Sequence, residues 1–296
     1  MQEQLVVRYF YSPICPESFA TLERLKSLFQ NYREVYFEYF NFAAEKPSSK
    51  ISWFPAEEAV LATCKGKGRQ PLFFGKLFIE GTVIQGFPPS PLSLQKVFAK
   101  NNLKWVPELY PFEYSSPPQI DQDIIFTDFQ LFSYGESLTR DSCQLCTRYH
   151  PYLSETSYDP GTWQRHEEKK LQFLQKAHAE NRLLGEIAYN QRQPVGFIEA
   201  FNLNLARELG FPVSAAAKSG LMITCLSIRP EFSGQGLARK LLGKLEEDAH
   251  NRGYHSLEVI SFPDSHNWQP SSLYQKMGYT TYECIEELKI MKKCLI

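Results

Sequence analysis

The chain has 296 residues, 43% of them hydrophobic and 22% charged, with a formal net charge of −1. Near-neutrality removes the electrostatic reason to invoke nucleic acid or an anionic membrane, and no apolar run reaches bilayer-spanning length. Met1-Gln2-Glu3-Gln4 lacks the basic start and apolar core of a signal peptide, and the seven cysteines (15, 64, 143, 146, 225, 284, 294) form an odd, unpatterned set, so a cytoplasmic protein with reduced thiols is expected.

A chain this long is expected to hold two domains. In the first, residues 5–11 read as a buried strand, and Ser12 to Ser18 as a turn with a proline just inside a helix start. Phe19, Leu22, Leu25, Leu28 and Phe29 keep helical spacing to about residue 31, and 35–42 form a second strand. Residues 70–74 and 76–84 suggest a hairpin, followed by a helix from about Ser90 to Lys100. With Cys15 at the N-terminus of the first helix, this β-α-β…β-β-α order resembles the thioredoxin-like fold. Pro71 falls where that fold carries its cis-proline. A thiol at a helix N-terminus is stabilised as thiolate by the dipole, so Cys15 could be nucleophilic. In Cys15-Pro16-Glu17-Ser18, however, serine replaces the second thiol, and a dithiol–disulfide cycle within this motif is impossible. A scaffold or partner-binding role is favoured over monothiol redox chemistry. Cys64 reads as a helix-end core residue.

Pro107, Pro111, Pro117 and Pro118 interrupt any helix, and Tyr114-Ser115-Ser116-Pro117-Pro118 reads as an extended linker. The expected organisation is a first domain over 1–108, a Pro-rich linker over 109–121 and a second α/β domain over 122–296. Early in the second domain, Cys143, Cys146 and His150 could supply three zinc ligands, but no further Cys-x-x-Cys or paired histidine completes a site, so no metal is assigned. Val195 to Ala200 is a strand carrying Glu199. Residues 201–219 read as a partly apolar insertion.

The apolar run Leu221 to Leu226 then leads into Ile228-Arg229-Pro230-Glu231-Phe232-Ser233-Gly234-Gln235-Gly236-Leu237-Ala238-Arg239. Strand, glycine turn and helix N-terminus in that order make an anion cradle, because glycines let backbone N–H groups approach a ligand along the positive end of the helix dipole. A helix over Leu237, Leu241, Leu242, Leu245 and Ala249 ends at Arg252-Gly253, a strand over 256–261 follows, and Asn267 to Tyr279 holds a short helix closed by Gly278. This arrangement resembles the GNAT superfamily of N-acetyltransferases. The family's acetyl-CoA motif, Arg/Gln-Gly-x-Gly-x-Gly/Ala, is matched by Ser233-Gly234-Gln235-Gly236-Leu237-Ala238 in all but its first position, and the later Asn-to-Tyr spacing by Asn267 and Tyr274.

The resemblance implies a mixed-sheet acyltransferase fold that binds acetyl-CoA as co-substrate and transfers its acetyl group to an amine-bearing acceptor. Leu226, Ser227 and Ile228 would pair with the pantetheine amides, and Ser233, Gly234, Gln235, Gly236, Leu237, Ala238 and Arg239 would hold the pyrophosphate. Asn267 would contact the pantetheine arm, and Tyr274 would protonate the departing sulfur. The family's glutamate on the strand before the turn is missing, so Glu199, Glu258, Asp264, His266 or a water chain remain open as the base. Two other readings stay open: a non-catalytic acyl-CoA sensor or interaction module, and a monothiol redox protein acting through Cys15.

Overall fold

The computed structural model describes residues 4–11, 16–41, 49–63, 75–84, 89, 91–110, 129–148, 160–209, 211–214, 219–264, 269–285 and 288–295. Cys15, Cys64, Pro71, His150, His266 and Asn267 lie outside this set, as do residues 70–74 of the expected hairpin and 111–121 of the expected linker. The chain divides into two compact units, 1–113 with 208–210 and 114–207 with 211–296. None of the described helices is long and apolar enough to cross a membrane.

In the first unit the elements are β1 (Leu5–Tyr11), α1 (Pro16–Phe29), β2 (Val35–Asn41), α2 (Pro55–Thr63), β3 (Lys76–Ile79), β4 (Thr82–Ile84) and α3 (Pro91–Lys100). The sheet runs β2-β1-β3-β4, with β1 parallel to β2 and the other pairs antiparallel. Apart from the buried Arg8, strand β1 is apolar on both faces because both are covered. Val7 and Tyr9 join Leu25, Leu28 and Phe98 in one core, while Phe10 and Phe78 form another with Trp53. Leu109 and Tyr110 also pack on the first core, and Tyr110 donates to the Pro89 carbonyl at 2.7 Å, so packed structure continues past the proline at 107. The hairpin is more compact than the sequence suggests. Its turn is Glu80-Gly81, with φ of 48° and 70°, and it splits 76–84 into β3 and β4. Two successive positive φ values suit a tight hairpin and carry a weak sequence signal when the first residue is glutamate.

The second unit contains β5 (Phe129–Ser133), α4 (Glu136–Arg148), α5 (Pro160–Ala179), β6 (Leu183–Asn190), β7 (Gln193–Asn202), α6 (Leu203–Glu208), β8 (Gly220–Ile228), α7 (Leu237–Asn251), β9 (Ser256–Ser261), α8 (Ser271–Lys276), β10 (Thr280–Ile285) and β11 (Leu288–Cys294). Its seven strands are ordered β10-β11-β9-β8-β7-β6-β5. Every neighbouring pair is antiparallel except β8 and β9. That parallel pair is brief, matching only Gly220–Ile223 with Ser256–Val259. Beyond Ile223 the two strands part. The register between β7 and β8 also shifts there, Glu199 facing Cys225 and Ala200 facing Ile223, so Thr224 is an extra residue in β8. Such a bulge bends its strand and sharpens the local twist. Helix α7 buries Leu237, Leu241, Leu242, Leu245 and Ala249 against the sheet, as its spacing predicts. The insertion contains α6, whose first turn is held by Asn202 Oδ1 accepting from the Leu205 N–H at 2.8 Å.

Behind α7, the buried Glu186 of β6 faces Asp248. Asp248 accepts from Ser133 and is paired with Lys244 at 2.6 Å. Burial first, and then the Asp248 charge, push the Glu186 carboxyl up to about 8. An acid raised in the folded state keeps its proton while the unfolded chain sheds one, so stability falls as pH rises from the ordinary carboxylate range to about 8 and then levels off. Glu186→Gln should therefore melt higher than the parent at alkaline pH, with the difference vanishing below about pH 5. Calorimetric scans across that range check it. A pH-independent difference would contradict the protonation assignment.

Candidate functional site

The parting of β8 from β9 opens a cleft of about 400 Å³. One wall is the β8 edge, Cys225, Leu226, Ser227 and Ile228. These residues pair with β7 on one side (Leu226 with Ile198, Ser227 with Phe197, Ile228 with Gly196), while the register with β9 has already ended. A strand edge of this kind can pair with an extended, amide-bearing ligand.

The cleft continues over the turn. A short 3-10 helix, Pro230–Phe232, turns the chain after β8, with the Ser233 N–H donating to the Pro230 carbonyl at 3.1 Å. Gly234 and Gly236 take φ of 76° and 78°, which L side chains adopt only with strain. An added Cβ at either would meet no atom within 4 Å, so these glycines leave open space over the turn. Gly236 caps α7 without a side-chain cap bond, which leaves the N–H groups of the first helical turn available to an anion. Ser233, Gly234, Gly236, Leu237, Ala238 and Arg239 line the cleft, with Arg239 exposed. Oriented backbone donors, a helix dipole and a guanidinium suit phosphate oxygens. Gln235 points elsewhere. It does not line the cleft, and its Nε2 reaches toward the Glu231 carbonyl at 3.5 Å.

The far wall comes from α8 and the residues before it, Gln269, Pro270 and Leu273. Tyr274 is fully buried beside this wall. Its hydroxyl donates to Gln269 Oε1 at 3.0 Å, and its ring meets Tyr279 edge-on at 5.4 Å. Burial, and then the Cys225 thiol, push the phenol well above its ordinary value, so it stays protonated and can serve only as an acid. Gln269 was not foreseen. Its backbone has a φ of 44°, which glutamine in a sequence does not announce. Phe232 on the floor and Cys225 on the wall were also missed, because both read as core residues of a strand and a turn.

Three candidate bases can be placed. Glu258 accepts from the Ser214 N–H and hydroxyl and from the Tyr282 hydroxyl, and lies 3.5 Å from Lys292. Asp264 Oδ1 accepts from the Ser272 N–H at 2.9 Å and so caps α8. Both are engaged in holding structure. Glu199 instead lies buried behind Cys225, where Oε1 accepts from the Tyr134 hydroxyl at 3.0 Å and the Ser142 hydroxyl at 3.1 Å. Its Oε2 is 3.6 Å from Lys170 Nζ. Burial raises the Glu199 carboxyl, with Lys170 acting against it. Cys143 and Cys146 are both buried on α4. Among the described residues, no three His, Cys, Asp or Glu side chains are arranged to hold a metal ion.

Residues 147–279 match the family described as the Acetyltransferase (GNAT) family. This stretch is a GNAT acetyltransferase domain, an acyltransferase unit of the family whose co-substrate is acetyl-CoA. No curated protein matches the chain. Among solved structures it is similar to a PaiA N-acetyltransferase from Thermoplasma acidophilum in complex with coenzyme A. That match has 14% identity and a TM-score of 0.40, covering 57% of this chain and 99% of the other. It is similar also to a GNAT family N-acetyltransferase from Escherichia coli in complex with CoA, at 16% identity and a TM-score of 0.39, covering 57% and 85%. A third is a spermidine/spermine N-acetyltransferase from Vibrio cholerae, at 15% identity and a TM-score of 0.39, covering 57% and 95%.

Proposed function

We propose that the chain transfers the acetyl group of acetyl-CoA directly to an amine, with the cofactor lying in the cleft between β8 and α8. One observation carries this reading. The strand edge, the glycine turn and the α7 N-terminus form one continuous cleft inside the matched domain. The backbone edge at Leu226–Ile228 would take the pantetheine amides, and the first turn of α7 with Arg239 would take the pyrophosphate. Asn267 keeps its expected role on the pantetheine arm. Tyr274, protonated and in contact with a cleft-lining glutamine, would give a proton to the departing CoA sulfur.

The first unit would be a thioredoxin-like accessory domain over 1–108, joined through 109–121 to the acyltransferase over 122–296. Its sheet order, with β1 and β2 parallel and β3 and β4 antiparallel, favours that reading. With Ser18 in place of a second thiol, we assign this domain to substrate positioning rather than dithiol chemistry.

The test is a screen of amines (amino acids, peptides, polyamines and aminoglycosides) followed by release of free CoA. Turnover on any amine above that of Tyr274→Phe supports the reading. Acetyl-CoA binding with no turnover on any of them would favour a sensor.

A further inference from the structure

Gln269 stands between the cleft and the buried Tyr274. It lines the cleft, is 3% exposed, and its Oε1 accepts from the Tyr274 hydroxyl at 3.0 Å. Its backbone is clamped to Phe262, the residue after β9. The Gln269 carbonyl accepts from the Phe262 N–H at 3.0 Å, while the Phe262 carbonyl accepts from the Ser271 N–H at 2.9 Å and the Ser271 hydroxyl at 2.8 Å. This clamp keeps a glutamine at a φ of 44°, where L side chains sit under strain. Strain of this kind persists only where the surrounding structure fixes it, and it gathers at functional sites.

An acid held in this way has two needs. In the resting protein the Tyr274 O–H is directed at Gln269, so it must be released to reach a sulfur in the cleft. What then remains is a phenolate with no exposed surface, and a buried anion without a donor is costly. A carboxamide meets both needs. Its oxygen accepts from the phenol, its nitrogen donates to the phenolate, and a half turn of its last torsion exchanges the two. Among the described residues no other side chain hydrogen-bonds to that hydroxyl.

We propose that Gln269 is a positioning residue for the acid, accepting from the Tyr274 hydroxyl before transfer and donating to its phenolate afterwards. The proposal rests on the acetyltransferase reading above and deepens it. In the transfer the amine nitrogen bonds to the acetyl carbonyl carbon, and the carbon–sulfur bond to CoA breaks. The sulfur leaves with the bonding pair and takes the proton from Tyr274 Oη. Gln269 Nε2 then donates to that oxygen, a fixed donor placed where negative charge develops. The nitrogen gives its proton to water and the phenolate recovers one from water. Amine and acetyl-CoA become amide and CoA, with no oxidant or reductant.

Two variants of the intact chain separate the halves of this role. Gln269→Glu keeps the length and the acceptor but loses the donor, and Gln269→Met keeps the length and offers neither. Each is made alone and together with Tyr274→Phe. CoA release, acetyl-CoA affinity by calorimetry and melting temperature are measured on all of them. Both single variants should lower kcat by ~10²-fold, the size of effect seen when one preorganised donor is removed. Gln269→Met should still bind acetyl-CoA within about threefold of the parent, because the lost interaction belongs to the transition state. In the Tyr274→Phe background neither substitution should lower kcat by more than about twofold, since the group it serves is gone. Losses that add in the double variants, or a Gln269→Glu protein with the parent's kcat, would overturn the role while acetyl transfer stands. A glutamine that only packs would lower the melting temperature and spare kcat, which overturns it equally. If the parent binds acetyl-CoA but releases no CoA with any amine, the acetyltransferase reading falls and this role falls with it.

Discussion

Tyr274→Phe should lower kcat by ~10²–10⁴-fold and leave acetyl-CoA affinity nearly unchanged, because it removes a proton donor from the transition state and almost nothing from the ground state. The ring is fully buried against Tyr279, and phenylalanine keeps that packing. What changes is one hydroxyl, hydrogen-bonded to Gln269 Oε1. Losing it leaves a buried amide oxygen without its donor, at a cost of ~1–3 kcal/mol in stability, which a melting curve reads separately. The departing CoA sulfur, by contrast, would lose its acid. A purely structural tyrosine would give the opposite pattern, a lower melting temperature with kcat preserved.

The largest stability effect should come from Arg8→Ala, which is expected to destabilise the first unit by ~3–5 kcal/mol. Arg8 lies in β1 with no exposed surface. Its guanidinium donates from Nε to Glu38 at 3.0 Å, from Nη1 to Glu57 at 2.5 Å, and from Nη2 to the Ile51 carbonyl at 2.8 Å and the Ser49 hydroxyl at 3.0 Å. It also stacks 4.6 Å from the Trp53 ring. Removing it leaves the nearly inaccessible Glu57 carboxylate without its cation and several acceptors without donors. Lysine would restore the charge but not the fork of donors, so Arg8→Lys should recover only part of the loss. Hydrogen exchange resolved by peptide locates the effect. Amides of β1, β2 and β3 should lose protection, while those of β6, β7 and β8 keep theirs. Uniform loss along the chain, or none, would contradict a local role.

The same residues show what a sequence discloses and what it hides. Helix α7 was legible because five apolar residues at helical spacing and two glycines at its ends act locally. The turn at Gly234 and Gly236 was legible for the same reason, since the residues that must adopt positive φ are glycines. Arg8 was not legible. A charged residue inside an apolar strand gives no hint of partners 30 to 49 positions away. Thr224 was equally silent, because its extra place in β8 exists only in relation to Glu199 and Ala200 of the neighbouring strand. Gln269 and Glu80 take positive φ without being glycine, so surrounding structure imposes their conformation. Cys225 read as one more apolar residue of β8. Its place opposite Glu199 exists only in the register of β8 with β7.

The central claim, that the cleft between β8 and α8 holds acetyl-CoA, is tested most directly by calorimetric titration of the intact chain with acetyl-CoA beside Gly236→Glu. Glutamate at this position would face a left-handed backbone at a cost of ~1–2 kcal/mol and set a carboxylate at the mouth of the anion cradle. Like charges brought together cost several kcal/mol more, so the variant should bind ~10²-fold more weakly or not at all, while its circular dichroism stays that of the parent. Saturable 1:1 binding by the parent with this loss in the variant is the predicted result. No binding by the parent, or equal binding by the two proteins, would contradict the account.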